Sequence, residues 1–290
     1  MPRLHALSFD VEEWYHAELV RQRVDPARRV SLVAPQTERI LDLLAQRRLR
    51  ATFFITGEVV RQHPNLARAV HNGGHEIGCH SMSHRPLWQM TPDVLQAELR
   101  EFRQALGDAV PGASPIGFRA PTFSLVEKTS WALEILAAEG FVYDSSIFPV
   151  ANYMYGVSGG PLGVYRPAVT DMRRHDPNAP IIELPLTVWA MGGLRLAVAG
   201  GFYLRAVPMP VLMHALRRVA TVRPIVLYAH PWELDTATPL VPGLSVAERF
   251  ITYCNRAGAL RKLERILAEF SFVPLREVLE AELTPPEKMP

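Results

Sequence analysis

The 290-residue sequence contains only two cysteines, Cys79 and Cys254, and no CxxC spacing. Their scarcity excludes a disulfide scaffold and a thiolate metal site, and it fits a reducing compartment. No stretch of 18 apolar residues occurs, so no integral membrane segment is expected. The start, Met1-Pro2-Arg3-Leu4-His5, lacks the apolar core of a secretory signal, from which we expect a cytoplasmic protein. Charge of one sign is nowhere concentrated: 31 basic and 29 acidic side chains leave a net charge of +2. The basic clusters at Arg47-Arg48 with Arg50 and at Arg217-Arg218 sit at expected helix ends, where cations complement the macrodipole. No nucleic-acid partner is expected.

What is present is a folding pattern: 48% of residues are hydrophobic and 21% charged, ample for a buried core. Apolar runs over residues 4–9 and 51–55 flank an amphipathic stretch over 37–48, which is the βαβ pattern of an α/β fold. A helix from Pro64 to the Gly73-Gly74 break precedes a short strand over 76–79. Thr91-Pro92 predicts a helix start, with Leu95, Leu99, Phe102 and Leu106 on one stripe. Further strands are expected over 117–119, 141–143, 181–184, 194–198 and 225–228, and helices over 124–139, 208–219 and through Leu260 to Phe270. We expect one domain over 1–283, in which 146–205 form an inserted loop and hairpin region, and a flexible tail over 284–290.

Asp10, His80, Arg119, Asp144 and His230 each fall at the carboxyl end of an expected strand. In sheets built from βα units that end carries the site, so five residues spread over 220 positions are predicted to be neighbours. His80 and His84 are spaced i, i+4, so one helical turn would aim both imidazoles the same way. His71 and His75 share that spacing but enclose Asn72-Gly73-Gly74, which favours a turn. Asp10 and Glu12 would point to one side of a strand and Glu13 to the other. Two imidazoles and a carboxylate make a catalytic zinc-type site, and the remaining carboxylate can serve as a general base. His230 is the candidate acid for a leaving amine, with a carboxylate such as Asp144 holding its ring.

As a set these residues resemble the polysaccharide deacetylases, carbohydrate esterase family 4 with the NodB-homology fold. The carrying motifs are Ser8-Phe9-Asp10-Val11-Glu12, His80-Ser81-Met82-Ser83-His84, Arg119-Ala120-Pro121, Tyr143-Asp144-Ser145-Ser146 and Leu227-Tyr228-Ala229-His230. A bacterial subgroup associated with exosortase and exopolysaccharide loci is more similar still, through Gly200-Gly201-Phe202-Tyr203-Leu204-Arg205 and His230-Pro231-Trp232-Glu233. The resemblance implies a distorted (β/α)7-type barrel, one divalent metal (zinc, with cobalt or nickel as alternatives) and hydrolysis of N-acetyl groups on an N-acetylated carbohydrate.

Carried onto this sequence, the resemblance makes Asp10 the base, His80 and His84 metal ligands, Arg119 the residue that orients the base, and Asp144 with His230 the acid pair. The family's usual first motif has adjacent aspartates, whereas this chain has Asp10-Val11-Glu12, so the same-side argument assigns the metal carboxylate to Glu12. Trp14, Pro121, Tyr203 and Trp232 are candidate substrate contacts, because flat apolar faces suit sugar rings. Two alternatives are an allantoinase-like cyclic-amide hydrolase and a non-catalytic carbohydrate-binding protein. Assembly into a homo-oligomer is compatible with the sequence.

Overall fold

In the computed structural model, which describes residues 3–150 and 155–284, the first apolar run becomes strand β1 (His5–Val11), buried along its whole length. Residues 151–154 of the expected inserted region and residues 285–290 of the expected tail lie outside the described residues. Parallel strands follow in β2 (Thr52–Ile55), β3 (Glu76–Cys79), β4 (Gly117–Phe118) and β5 (Tyr143–Asp144). β6 (Pro167–Ala168) and β7 (Asp171–His175) form a separate antiparallel pair, after which β8 (Ile182–Glu183) returns to the main sheet. β9 (Val188–Met191) and β10 (Leu194–Ala197) make a hairpin across Gly192-Gly193, whose φ angles of 57° and 85° demand glycine. β11 (Val226–Ala229) pairs with β1, as does β12 (Phe272–Val273) at the start of β1.

The main sheet runs β11-β1-β2-β3-β4-β5-β8 with every pairing parallel, a curled seven-strand half-barrel of the expected α/β class. Thr187 draws its two edges together: its N–H donates to Val226 O at 3.3 Å, and its Oγ1 accepts from Val226 N at 2.7 Å. Parallel strands covered on both faces are expected to be apolar throughout, and helices supply the outer cover. In the helix Pro92–Ala109, Thr91 Oγ1 accepts from Val94 N at 3.4 Å, Pro92 takes the first position, and Leu95, Leu99, Phe102 and Leu106 are completely buried. Among the described residues no helix is long and apolar enough to cross a membrane.

Three expectations change. Residues 124–139 do not form one helix but a 3₁₀ turn, Glu127–Thr129, and a short helix, Ala132–Ala138. Thr129 Oγ1 donates to Ser124 O at 2.6 Å and accepts from Val126 N at 2.9 Å, and such local side-chain bonds compete with the helix. Residues 146–205 are not purely an insertion, because β8 is the seventh strand of the sheet and the helix Gly201–Ala206 delivers a residue to the site. Helices Gly57–Gln62, Val246–Tyr253 and Leu275–Leu283 were not expected, although Ser245 and Glu248 form a capping box at the second.

Candidate active site

The carboxyl ends of β1, β3, β4 and β11 gather Asp10, Glu12, His80, Arg119 and His230. Strand alternation sends Ser8, Asp10 and Glu12 to the inner side of the barrel, while Glu13 turns away to accept from Leu32 N at 3.1 Å. Arg119, with no exposed surface, donates from Nη1 to Asp10 Oδ1 at 2.6 Å and to Ser8 Oγ at 2.8 Å. Its Nε and Nη2 donate to Ser145 O at 2.7 Å and Ser145 Oγ at 2.8 Å, and its guanidinium lies 4.2 Å from the centre of the Phe54 ring. With its fork filled on all sides, Arg119 holds one oxygen of Asp10 and leaves Oδ2 facing the cleft, 3.9 Å from His230 Nε2.

Glu12, His80 and His84 bring three ligand atoms within 4.8 Å of one another, all buried. Glu12 Oε2 has no hydrogen-bond partner despite its burial; it lies 3.7 Å from His80 Nε2 and in contact with His84 Nε2. An orphaned carboxylate oxygen between two imidazoles fits a divalent cation, since burying it unpaired is costly. The Nδ1–H of His80 donates to Arg119 O at 2.8 Å, which leaves Nε2 with its lone pair toward Glu12. Burial alone would raise the Glu12 carboxyl, but His84 and His230 hold it well below the usual carboxylate range.

The helical turn expected for His80 to His84 is absent. Residues 80–86 are a loop in which Ser81 and His84 take left-handed φ values of 59° and 54°. Such backbone strain persists only when surroundings impose it. Here Glu98 accepts from Met82 N at 3.0 Å and Ser83 N at 3.2 Å as well as from Ser83 Oγ, and Gly57 N and Glu58 N each donate, at 3.0 Å, to the Ser81 and Met82 carbonyls. His16 lies flat on His84, with centroids 5.2 Å apart and planes 15° apart; burial and the His84 charge push its pKa down to about 3.

His230 Nε2 faces Glu12 Oε1 at 3.7 Å, and Trp232 stacks on its ring at 5.2 Å. The carboxylate on its Nδ1 is Glu233, at 2.7 Å, not Asp144. Although burial works against the charged ring, Glu233 and Glu12 raise His230 to about 9. Asp144 instead accepts from Ser146 Oγ at 2.7 Å and Ser146 N at 2.8 Å and bonds to Glu183. Burial and the adjacent Asp144 carboxyl hold Glu183 well above the usual carboxylate range.

A cleft opens over these groups, walled by Leu19, Phe123, Tyr155, Phe202 and Ile251. Of the four expected substrate contacts Trp232 lines it, and its Nε1 donates to Glu12 Oε1 at 3.4 Å. Trp14 does not line it: the ring is buried in a small cluster with Trp232, Val20 and Val241, and Nε1 donates to Val30 O at 2.9 Å. Pro121 is buried, and its neighbours Thr122 and Phe123 reach the cleft from left-handed conformations. Tyr203 packs on Phe148 at 6.1 Å while the next ring, Phe202, faces the cleft. Sequence reasoning missed Ser8, Glu98, Arg205 and Glu233. Glu233 carried a signal, since it lies three residues beyond His230 on a tight turn; the others became visible only through contacts across the fold.

Residues 26–140 match the polysaccharide deacetylase family, and residues 145–280 match a domain of unknown function, DUF3473. A chitooligosaccharide deacetylase of Rhizobium leguminosarum bv. trifolii is 39% identical over 75 residues, 26% of this chain and 35% of that protein. A peptidoglycan-N-acetylglucosamine deacetylase of Bacillus cereus is 33% identical over 99 residues, 34% and 36% of the two chains. The matches thus span about a third of these curated relatives. A solved Mycobacterium smegmatis structure, provisionally named a polysaccharide deacetylase, superposes with a TM-score of 0.62 over 98% of this chain and 92% of its own, at 22% identity, a likeness of fold. Over residues 26–140 the chain is thus similar to the polysaccharide deacetylase family, and its fold is that of the solved neighbour.

Proposed function

We propose that the protein is a metal-dependent hydrolase that removes N-acetyl groups from an amino-sugar polysaccharide or its precursor. The observation that carries this reading is the orphaned Glu12 carboxylate between His80 and His84, flanked by a carboxylate on an arginine and by a histidine on a carboxylate. Fold alone does not carry an activity; a complete set of ligands, base and acid does. Glu12, His80 and His84 would hold the ion, and two imidazoles with one carboxylate favour zinc, with cobalt or nickel also suited. Such an ion, when bound, would supply Lewis acidity toward an acyl carbonyl and toward the attacking water.

The chain's own groups do the remaining work. Asp10, with Oδ1 tied to Arg119, takes the proton of the attacking water on Oδ2. His230, charged at neutral pH, gives its Nε2 proton to the amine nitrogen as the C–N bond breaks, releasing acetate and a free amino sugar. Trp232 and the apolar cleft wall present flat faces for sugar rings. The chitooligosaccharide and N-acetylglucosamine substrates named for the relatives point to oligomers of that sugar.

The test is acetate release from N-acetylglucosamine oligomers and peptidoglycan fragments, with allantoin alongside, before and after chelation. Chelator-sensitive acetate that returns with zinc is expected. Chelator-insensitive opening of allantoin, or saturable sugar binding without acetate, refutes the proposal.

A further inference from the structure

Glu233 occupies the 3₁₀ turn Pro231–Leu234 directly after His230. Its Oε2 accepts from both His230 N at 3.1 Å and His230 Nδ1 at 2.7 Å. The other oxygen, Oε1, accepts from Arg205 Nη2 at 2.9 Å. Both side chains are nearly sealed from solvent, Glu233 at 3% exposure and Arg205 at 2%. Arg205 in turn donates to the carbonyls of Ile251 at 2.8 Å, Thr252 at 3.3 Å and Cys254 at 3.0 Å. Those carbonyls close the helix Val246–Tyr253, whose negative end suits a guanidinium, and Ile251 and Thr252 also line the cleft.

The glycine pair before Arg205 is shaped by the same contact. A Cβ on Gly201 would stand 1.7 Å from Glu233 Oε2, and one on Gly200 would stand 2.6 Å from the Tyr228 ring. Only glycine lets the helix Gly201–Ala206 approach closely enough for Arg205 to reach the carboxylate. A buried Arg–Glu pair is weak as a source of stability, because desolvation offsets much of the attraction. Its position behind the catalytic ring supplies another reason for its presence.

Taking the deacetylase reading as its basis, we propose that Glu233 and Arg205 are positioning residues that fix the ring of His230 with Nε2 toward the cleft. The stretch that matches the domain of unknown function thereby supplies the acid and its support to the other half of the site. Asp144, 86 residues upstream of His230 by their numbers, is committed to Ser146 and Glu183, so the carboxylate at His230 Nδ1 is that of Glu233.

The test separates the acid from the rest of the machinery by the leaving group. When an N-acetyl amine is hydrolysed, the water oxygen bonds to the acyl carbon, the C–N bond breaks and the nitrogen must receive the His230 proton. With p-nitrophenyl acetate the phenolate departs without a proton, so a misplaced acid matters little. For Glu233→Ala and Gly201→Ala, amide kcat is expected to fall about 100-fold with KM close to wild type, while ester turnover changes about threefold or less. Glu233→Gln, which keeps an acceptor at Nδ1, is expected to recover part of the amide rate. Equal loss on both substrates, or loss on neither, overturns the proposal. Circular dichroism checks the fold, and Gly201→Ala serves if Glu233→Ala fails to fold.

Should the wild type release no acetate at all, the deacetylase reading fails, and the pair is judged by NMR. The His230 Nδ1–H resonance, assigned by its loss in His230→Asn, should vanish or shift strongly in Glu233→Ala; an unchanged resonance overturns the positioning role.

Discussion

Replacing Arg119 with methionine keeps much of the alkyl volume but deletes the cation and the bonds it donates to Ser145 O, Ser145 Oγ, Ser8 Oγ and Asp10. Asp10, 1% exposed, is then left as a buried carboxylate whose nearest cationic group is His230, 3.9 Å away. Breaking a buried pair from one side costs about 3–5 kcal/mol, because the surviving charge stays desolvated. Taking about 4 kcal/mol and a urea slope of about 3 kcal/mol/M, the unfolding midpoint should drop by roughly 1.3 M. Asp10→Asn combined with Arg119→Met removes the stranded charge, so the double variant should be more stable than the sum of the singles predicts, by at least about 2 kcal/mol. Urea titrations followed by circular dichroism and tryptophan fluorescence together measure all three variants. A cost under about 1 kcal/mol for Arg119→Met, or strict additivity, would show that the pair is hydrated and that the argument for its burial is wrong.

Glu12→Gln removes the anionic ligand while preserving shape, so zinc affinity measured by chelator competition should fall at least about 100-fold with the circular dichroism spectrum unchanged. Glu98→Ala frees the loop that carries His84, and a loss of about tenfold in zinc affinity is expected by the same titration, in line with the effect of outer-shell partners. His5 Nδ1 accepts from Ile225 N at 3.1 Å and His75 Nδ1 from Ala51 N at 3.3 Å, and burial lowers both rings to about 4. Between their unfolded value near 6.5 and about 4 the unfolded chain binds more protons than the folded one. Stability is therefore full above pH 6.5 and is lost as pH falls toward 4, with a slope of up to about 2.7 kcal/mol per pH unit from the two rings together. His5→Gln should flatten that slope in denaturation curves measured from pH 7 to pH 4.

The α/β class is legible in the amino-acid pattern alone, because parallel strands read as short apolar runs and their covering helices as stripes; the helix at Thr91-Pro92 and the alternation of Asp10 with Glu12 follow from such local periodicity. The same pattern also marks His80, Arg119 and His230 as strand-end residues that one face could collect. Tertiary structure decided how they are held. His80 and His84 meet through a strained loop that Glu98 ties from a distant helix, which no i, i+4 spacing encodes. Trp14 and Trp232 are equally aromatic in sequence and packing buries both in one cluster, but it sets only the second against the cleft. Asp144 and Glu233 are carboxylates of equal promise until register and burial place one under the barrel with Glu183 and the other behind His230. Local pattern follows from the backbone's own geometry, whereas the partner of a buried charge depends on which distant segment the fold brings within about 3 Å.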